Sequence, residues 1–304
     1  MIVFGYVPSR RLGRSLGVNN LPKKFCTYSC VYCQIGRTNN LVVERREFYD
    51  PKQIYQEVDK ALKSLNSEID YITFVPNGEP TLDVNLGKTA EMLKDFGRVA
   101  IITNSSLIWR EDVREDLMNF DLVSFKIDAV DENTWKLINR PHKSLKLTEI
   151  LENLIDFRRE FKGKVLTETM LIDGVEYDFN KIAEFLHKLR PDKAYISIPI
   201  RPPAEKWVKP AREGVINEVY QTFSKFVKTE LLIGYEGLDF GFKGDIEKDL
   251  LSITFVHPLR EKAVNELLKR ANADYSVVEK LVKDGKLVVV EFGGEKFYIR
   301  RISF

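Results

Sequence analysis

The chain has 304 residues, 44% hydrophobic and 30% charged, with 47 Lys and Arg against 45 Asp and Glu. That is enough apolar residue to bury a large core, and it excludes a disordered chain. A net charge of +2 does not by itself point to nucleic acid, and no stretch nears the ~20 apolar residues of a membrane span.

The N-terminus, MIVFGYVPSRRLGRS, puts apolar residues ahead of its arginines, the reverse of a secretory signal. A cytoplasmic, reducing location is expected. Arg10-Arg11-x-x-Arg14 leads into a strand expected around Ser15–Asn19. All three cysteines of the chain follow within eight residues: Cys26, Cys30 and Cys33, spaced C-x3-C-x2-C. A disulfide would strand one of them. Zinc usually takes four ligands, and His142, His187 and His257 all lie far along the chain. Three thiolates suit three irons of a 4Fe–4S cube and leave the fourth iron to an outside ligand; a cube held wholly by protein normally needs a fourth cysteine.

Beyond the loop, Asp50-Pro51-Lys52-Gln53 opens a helix. Asp caps it, Pro suits the first position, and Gln completes a capping box. Ile54, Val58, Ala61 and Leu62 form its apolar face. Short runs rich in Val, Ile, Tyr, Phe and Thr then read as strands at Tyr71–Pro76, Arg98–Thr103, Leu122–Ile127, Val165–Leu171 and Lys193–Ile198. Helices are expected between and after them, near 86–96, 111–118, 131–138, 146–161, 179–190 and 212–229. Strand–helix alternation implies parallel strands with crossover helices. Periodicity alone does not choose between a curved barrel and a flat doubly wound sheet, but in either the strand C-terminal ends build the site.

Those strand ends carry Asn77-Gly78-Glu79-Pro80-Thr81, Thr103-Asn104-Ser105, Ser124, Lys126 and Asp128, and Ser197-Ile198-Pro199. Glu168, between Thr167 and Thr169, makes the fifth strand polar where a parallel strand should be apolar. A buried carboxylate there needs a partner, which makes Glu168 a candidate ligand contact. Arg10, Arg11, Arg14, Arg140 and Arg201 are expected around the barrel mouth, where they would favour an anionic substrate or an RNA backbone; the alternative is solvated surface arginine.

Near residue 240 the pattern changes. A Gly-rich piece, Tyr235–Asp245, is followed by helices at Arg260–Ala271 and Ser276–Asp284. A hairpin then runs through Lys286–Glu291 and Lys296–Ile302. This resembles a winged helix-turn-helix, placed at about 246–304, with 1–240 left to the main domain. The second helix mixes Glu279 and Asp284 with Lys280 and Lys283, a poor match to phosphate. A packing appendage and a nucleic-acid contact both stay open.

The cysteine loop, with Tyr32 before its last cysteine, resembles the signature of the radical S-adenosylmethionine (radical SAM) enzymes. The segments VPSRRLGRSLGVN, CTYSCVYCQIGRT, NGEPTL, ITN, FKID, INRPH and IPIRPPAEKW together are similar to the Fe–S oxidoreductases grouped near the tRNA wyosine-base synthases. The resemblance implies a partial (β/α)6 TIM barrel in which Cys26, Cys30 and Cys33 hold a 4Fe–4S cluster. Its open iron binds S-adenosylmethionine, which is cleaved reductively to a 5′-deoxyadenosyl radical that takes hydrogen from a substrate. It further implies that Asn77, Gly78, Glu79 and Pro80 hold the cofactor's ammonium, that Asn104, Ser124, Lys126 and Asp128 surround its ribose and carboxylate, and that Ser197 and Ile198 meet adenine. Tyr28, Tyr32 and Gln34 would shield the cluster. The implied partner is a one-electron donor such as a ferredoxin or flavodoxin. The synthases carry a second cluster on further cysteines, and this chain has none left over. RNA (including tRNA) and small-molecule or peptide substrates stay open. The rival reading is an iron–sulfur nucleic-acid-binding regulator or sensor acting through the winged unit, which would bind DNA with steep salt dependence.

Overall fold

The computed structural model describes residues 2–65, 68–234, 240, 242 and 244–301. In chain order its elements are β1 (Val3–Ser9), β2 (Gly13–Val18), β3 (Phe25–Cys26), β4 (Asn40–Leu41), α1 (Pro51–Ser64), β5 (Tyr71–Phe74), α2 (Leu86–Leu93), β6 (Val99–Thr103), α3 (Glu111–Leu117), β7 (Leu122–Lys126), α4 (Glu132–Ile138) and α5 (Leu147–Glu160). There follow β8 (Lys164–Met170), α6 (Phe179–Leu189), β9 (Lys193–Ser197), α7 (Glu213–Ser224), β10 (Thr229–Leu232), α8 (Ile246–Val256), β11 (Leu259–Arg260), α9 (Glu261–Arg270), α10 (Ser276–Lys283), β12 (Leu287–Phe292) and β13 (Glu295–Arg300).

The main sheet has eight strands in the order β1-β2-β5-β6-β7-β8-β9-β10. All neighbours pair in parallel except β1, which folds back antiparallel on β2. The strands alternate with amphipathic helices. α1 shows why: the Asp50 side chain accepts from the Lys52 N–H, Pro51 starts the helix, and Ile54, Val58 and Ala61 are buried.

The sheet curls into a partial TIM barrel. Leu12, Tyr71, Ala100, Leu122, Leu166, Tyr195 and Leu232 meet in one buried layer inside it. The β1–β2 turn at one edge and β10 at the other both contribute to that layer, which a flat sheet does not allow. Arg10 Nη2 donates to the Leu232 carbonyl at 3.0 Å, tying the β1–β2 turn to β10 across the gap between the edges.

The six expected strands are all present. β1, the short strands β3, β4 and β11, β10 and α8 are additions to the sequence reading. The helix expected over 212–229 stops at Ser224, because Thr229–Leu232 instead extends the sheet beside β9. In the C-terminal part, α8, α9 and α10 surround a sheet ordered β11-β13-β12. Its apolar core also takes in Val7 of β1. The expected Gly-rich piece lies largely outside the described residues, as does Ile302, the expected end of the last strand. Among the described residues no helix is long and apolar enough to cross a membrane.

Candidate active site

The cysteine loop is pinned by backbone bonds to several segments. Val42 N–H donates to the Cys26 carbonyl at 3.0 Å, and His142 N–H to that of Thr27 at 2.8 Å. Ser29 and Val31 N–H donate to Asn139 and Ile138 at 3.0 and 2.9 Å, and Glu205 N–H donates to the Val31 carbonyl at 3.0 Å. Trp135 Nε1 donates to the Tyr28 hydroxyl at 3.1 Å from the edge of its ring. So held, the three thiols line the end of one cavity of about 390 Å³.

Each sulfur has its own N–H donor. Lys24 Nζ lies 3.2 Å from Cys33 Sγ, Asn104 Nδ2 lies 3.6 Å from Cys26 Sγ, and Asn139 Nδ2 lies 3.6 Å from Cys30 Sγ. Neither Lys24 nor Asn139 figures among the candidates drawn from the sequence. The Lys24 ammonium also reaches the Gly36 carbonyl, and the residue is buried. Burial, then the charge of Asp128, pushes the Cys30 thiol up to about 12; burial, then Cys30 and Glu79, pushes Cys26 up as well. Buried thiolates here need a positive partner.

The turn after β5 abuts the loop. Glu79 N–H donates to the Phe25 carbonyl at 3.0 Å, and a Cβ placed on Gly78 would sit 1.7 Å from that same oxygen. Only glycine lets the two segments approach so closely. The Glu79 carboxylate accepts from Thr81 N–H at 3.1 Å, Thr81 Oγ1 at 2.7 Å, Thr103 Oγ1 at 2.6 Å and Asn104 N–H at 2.8 Å. These donors are neutral, and burial outweighs them, raising the carboxyl above its ordinary range. Glu79 lines the cavity and is suited to a cation. Gly78, Asn104, Lys126, Glu168, Ser197 and Ile198 line it too.

Other sequence candidates lie elsewhere. Asn77 and Pro80 are buried and do not line the cavity; the Asn77 amide has no hydrogen-bond partner among the described atoms. Ser124 is buried behind the wall, with Arg11 Nη1 at 3.4 Å from its hydroxyl. Asp128 also lies outside the lining, because its carboxylate accepts from Asn139 Nδ2 at 2.8 Å, Met170 N–H at 2.9 Å and the Tyr32 hydroxyl. It orients Tyr32 and Asn139 under the loop.

Glu168 finds its partners within the chain. Arg11 pairs with it directly, Lys126 Nζ lies at 3.0 Å, and Ser197 Oγ donates at 2.9 Å. Burial alone would raise this carboxyl, but Arg11 and Lys126 outweigh it and hold it well below the usual carboxylate range.

The arginines expected at the mouth divide. Arg10, Arg11 and Arg201 line the cavity. Arg11 reaches deep inside because the β1–β2 turn, with Gly13 at φ 64°, folds into the barrel. Arg14 and Arg140 do not line it. Arg14, the second residue of β2, lies at the opposite end from the strand C-termini and is exposed. Arg140 turns outward to pair with Glu205, which also holds Arg37 at 2.9 Å. His257, from the C-terminal part, lines the cavity with its Nε2 3.2 Å from Arg201 Nη2, and Arg201 Nη1 donates to Gln34 Oε1 at 3.1 Å.

The donor set fits a cube with an open iron and a small zwitterionic ligand. Among the described residues no group of three His, Cys, Asp or Glu side chains is gathered to grip a single metal ion. A cube instead takes one thiolate on each of three separate irons, so thiols spread around a cavity end suit it. The cavity volume lies within the range of small-molecule sites.

Comparison with known proteins agrees. The model of the Radical SAM superfamily matches residues 21–186. A UPF0026 protein of Methanocaldococcus jannaschii is 52% identical over 310 residues, covering 99% of this chain and 97% of its own. A UPF0026 protein of Helicobacter pylori is 34% identical, over 71% of each chain. Among solved structures, a radical SAM methyltransferase from Sphaerobacter thermophilus superposes with a TM-score of 0.55 at 17% identity, covering 72% of this chain and 66% of that one. TYW1 with a lysine–pyruvate adduct bound gives 0.52 at 15% identity, over 70% and 74%. At such identities these two structures speak for the fold alone.

Proposed function

We propose, from the premise that this chain belongs to the radical SAM superfamily and to its UPF0026 relatives, that it is a radical SAM enzyme whose chemistry takes place in the cavity at the barrel's strand ends. Its cofactors are a 4Fe–4S cluster and S-adenosylmethionine. Bound there, the reduced cluster supplies the electron that cleaves S-adenosylmethionine to methionine and a 5′-deoxyadenosyl radical, which takes hydrogen from a substrate.

The residues have distinct tasks in this reading. Cys26, Cys30 and Cys33 hold the cluster, and Lys24, Asn104 and Asn139 donate to their sulfurs. Glu79, held by neutral donors at a strand end, accepts the cofactor's ammonium, and Gly78 brings it to the loop. Asn104, Ser197 and Ile198 border the remainder of the cofactor. Asp128 acts as a positioning residue, as do Asn77 and Pro80 within the turn. The barrel wall and the plug of apolar side chains beneath it keep water from the reacting atoms.

For the substrate, the cavity lining sets Arg10, Arg11, Lys126 and Arg201 against Glu79 and Glu168. That excess of cationic side chains supports an anionic substrate. The bridge from Arg10 to Leu232 closes the barrel edge, which supports a small molecule ahead of an RNA such as tRNA. The segment at about 246–304, read as a winged-helix-like unit, buries the core of its described residues against β1 and contributes His257 to the cavity. We therefore assign it to the site wall, ahead of a sensor role.

The observation that carries the reading is the convergence of three thiols, the Gly78–Glu79 turn and Asn104 on one cavity. Anaerobic purification followed by iron and sulfide analysis tests it, with electron paramagnetic resonance before and after S-adenosylmethionine is added. A cluster whose spectrum changes on addition supports it; a protein that retains no iron and sulfide after reconstitution contradicts it.

A further inference from the structure

A second cavity, of about 320 Å³, lies beside the one described above. One wall is the chain leaving Cys33, from Gln34 to Arg37. The other belongs to the C-terminal part: Phe255 of α8, Pro258 after it, and Ile299 and Arg300 of β13. Gln34 and Ile35 line both cavities. His257, which lines the main cavity, is followed in the chain by Pro258, which lines the second. The boundary between the two is therefore the contact in which Arg201 bridges Gln34 and His257. The second cavity carries one sign of charge. Arg37 and Arg300 line it, and among its described lining residues there is no Asp or Glu. Glu205, outside the lining, pairs with Arg37 but is shared with Arg140, so positive charge stays in excess. Arg300 stands over the Phe255 ring, 5.1 Å from its centre, and donates to the Leu251 carbonyl at 3.3 Å. Guanidinium donors thus sit beside flat apolar surface.

We infer that the second cavity holds the remote end of the substrate, an anionic group (phosphate or carboxylate) on an apolar or aromatic body whose reacting part extends past Gln34 and Ile35 into the main cavity. The inference rests on the reading of the main cavity as the site of the cluster, the cofactor and a small anionic substrate, and it says where the anion binds. Room argues for it. The main cavity, about 390 Å³, is near the lower end of the range for a single small ligand, and in that reading the cofactor and one edge of the cluster already occupy it. A substrate must then extend beyond it, and the neighbouring cavity shares its wall. Chemistry argues the same way. Guanidinium groups bind phosphate and carboxylate through paired N–H donors. Contacts remote from the reacting carbon supply binding energy that positions that carbon, and they keep the charged group away from the radical.

The experiment uses the reconstituted full chain with S-adenosylmethionine and three probes: phenyl phosphate, benzoate and uncharged phenol. Calorimetry is expected to show saturable binding of the two anions, with phenol about tenfold weaker or more. Whichever anion binds tighter names the group, phosphate or carboxylate. Arg300→Gln and Arg37→Gln, tested separately, should each weaken the anions roughly fivefold or more. Iron and sulfide content at the wild-type level shows that each variant is folded and loaded. The reduced cluster is paramagnetic, so the phosphorus nucleus of bound phenyl phosphate should relax faster in dithionite-treated wild type. That enhancement should fall in both variants. Three results overturn the inference: no anion binding by wild type, equal binding by wild type and both variants, or binding without faster relaxation, which puts the anion far from Cys33. A loss of binding confined to Arg201→Gln also overturns it, because the anion then belongs to the main cavity alone. Wild type that retains no iron and sulfide defeats the underlying reading instead, and takes the inference with it; calorimetry, which needs no iron, tells the two failures apart.

Discussion

Lys24 Nζ lies 3.2 Å from Cys33 Sγ, placing a buried ammonium against the last thiol of the loop. Positive charge and N–H donation at a cluster sulfur favour the reduced, more negative state and raise its potential. Lys24→Met therefore lowers the cluster midpoint potential. Each kcal/mol of lost differential stabilisation is worth roughly 40 mV for a one-electron couple. Redox titration followed by electron paramagnetic resonance reads the shift; an unchanged or raised potential removes Lys24 from this role.

Gly78→Ala collides with the Phe25 carbonyl, because the added Cβ would lie 1.7 Å from it. Both partners are backbone, so the turn or the loop must move. The expected result is poor cluster retention and a loss of stability of about 1–3 kcal/mol. Iron content and thermal melting check this, and a variant with wild-type iron and melting temperature argues against the close approach.

Glu79→Gln keeps the shape of the turn and removes the charge offered to an ammonium. A hydrogen bond between charged groups is worth about 1.5–3 kcal/mol, so S-adenosylmethionine affinity should fall about tenfold or more while cluster absorption persists. The pH dependence has a defined sign. The carboxyl is raised above its ordinary 4.5 by burial, so the cofactor-free fold loses stability as pH rises through the raised value. Cofactor affinity rises over the same interval, as the carboxylate forms. Equilibrium binding across that range checks it, and a flat profile counts against Glu79 as the ammonium acceptor.

Glu168→Gln leaves Arg11 inside the barrel without its carboxylate and Lys126 with Asp128 alone, at 3.5 Å. Removing one partner of a buried pair costs about 3–5 kcal/mol. In wild type this carboxyl is depressed. Its contribution is therefore fully present above the ordinary value of 4.5 and is lost as pH falls below it. Denaturant melts of both proteins from neutral to acid pH should converge; a constant difference between them locates the stability elsewhere.

The barrel was legible because each strand is a short β-branched or aromatic run between amphipathic stretches. Val165–Leu171 and Lys193–Ile198 are found within a residue of where the runs place them. β10 was not, since Thr-Glu-Leu-Leu at 229–232 continues the helical spacing of α7 and becomes a strand only by pairing with β9. In the site, the cysteines and Glu79 announce themselves by spacing and by a turn at a strand end. Lys24 and Asn139 do not. Their importance lies in which sulfur each one meets, set by how α4 and the loop pack. Asn139 sits in the INRPH segment beside the charged Arg140, yet it is the asparagine that turns inward. Asp128 shows the converse: a strand-end carboxylate that reads as a ligand contact spends its oxygens on Tyr32, Asn139, Met170 and, at 3.5 Å, Lys126.

The most direct measurement is anaerobic release of 5′-deoxyadenosine from S-adenosylmethionine under dithionite, in wild type and in Cys26→Ala, Cys30→Ala and Cys33→Ala. Wild type is expected to turn over, and none of the three variants is. Turnover surviving in the variants, or absent from iron-replete wild type, would contradict it.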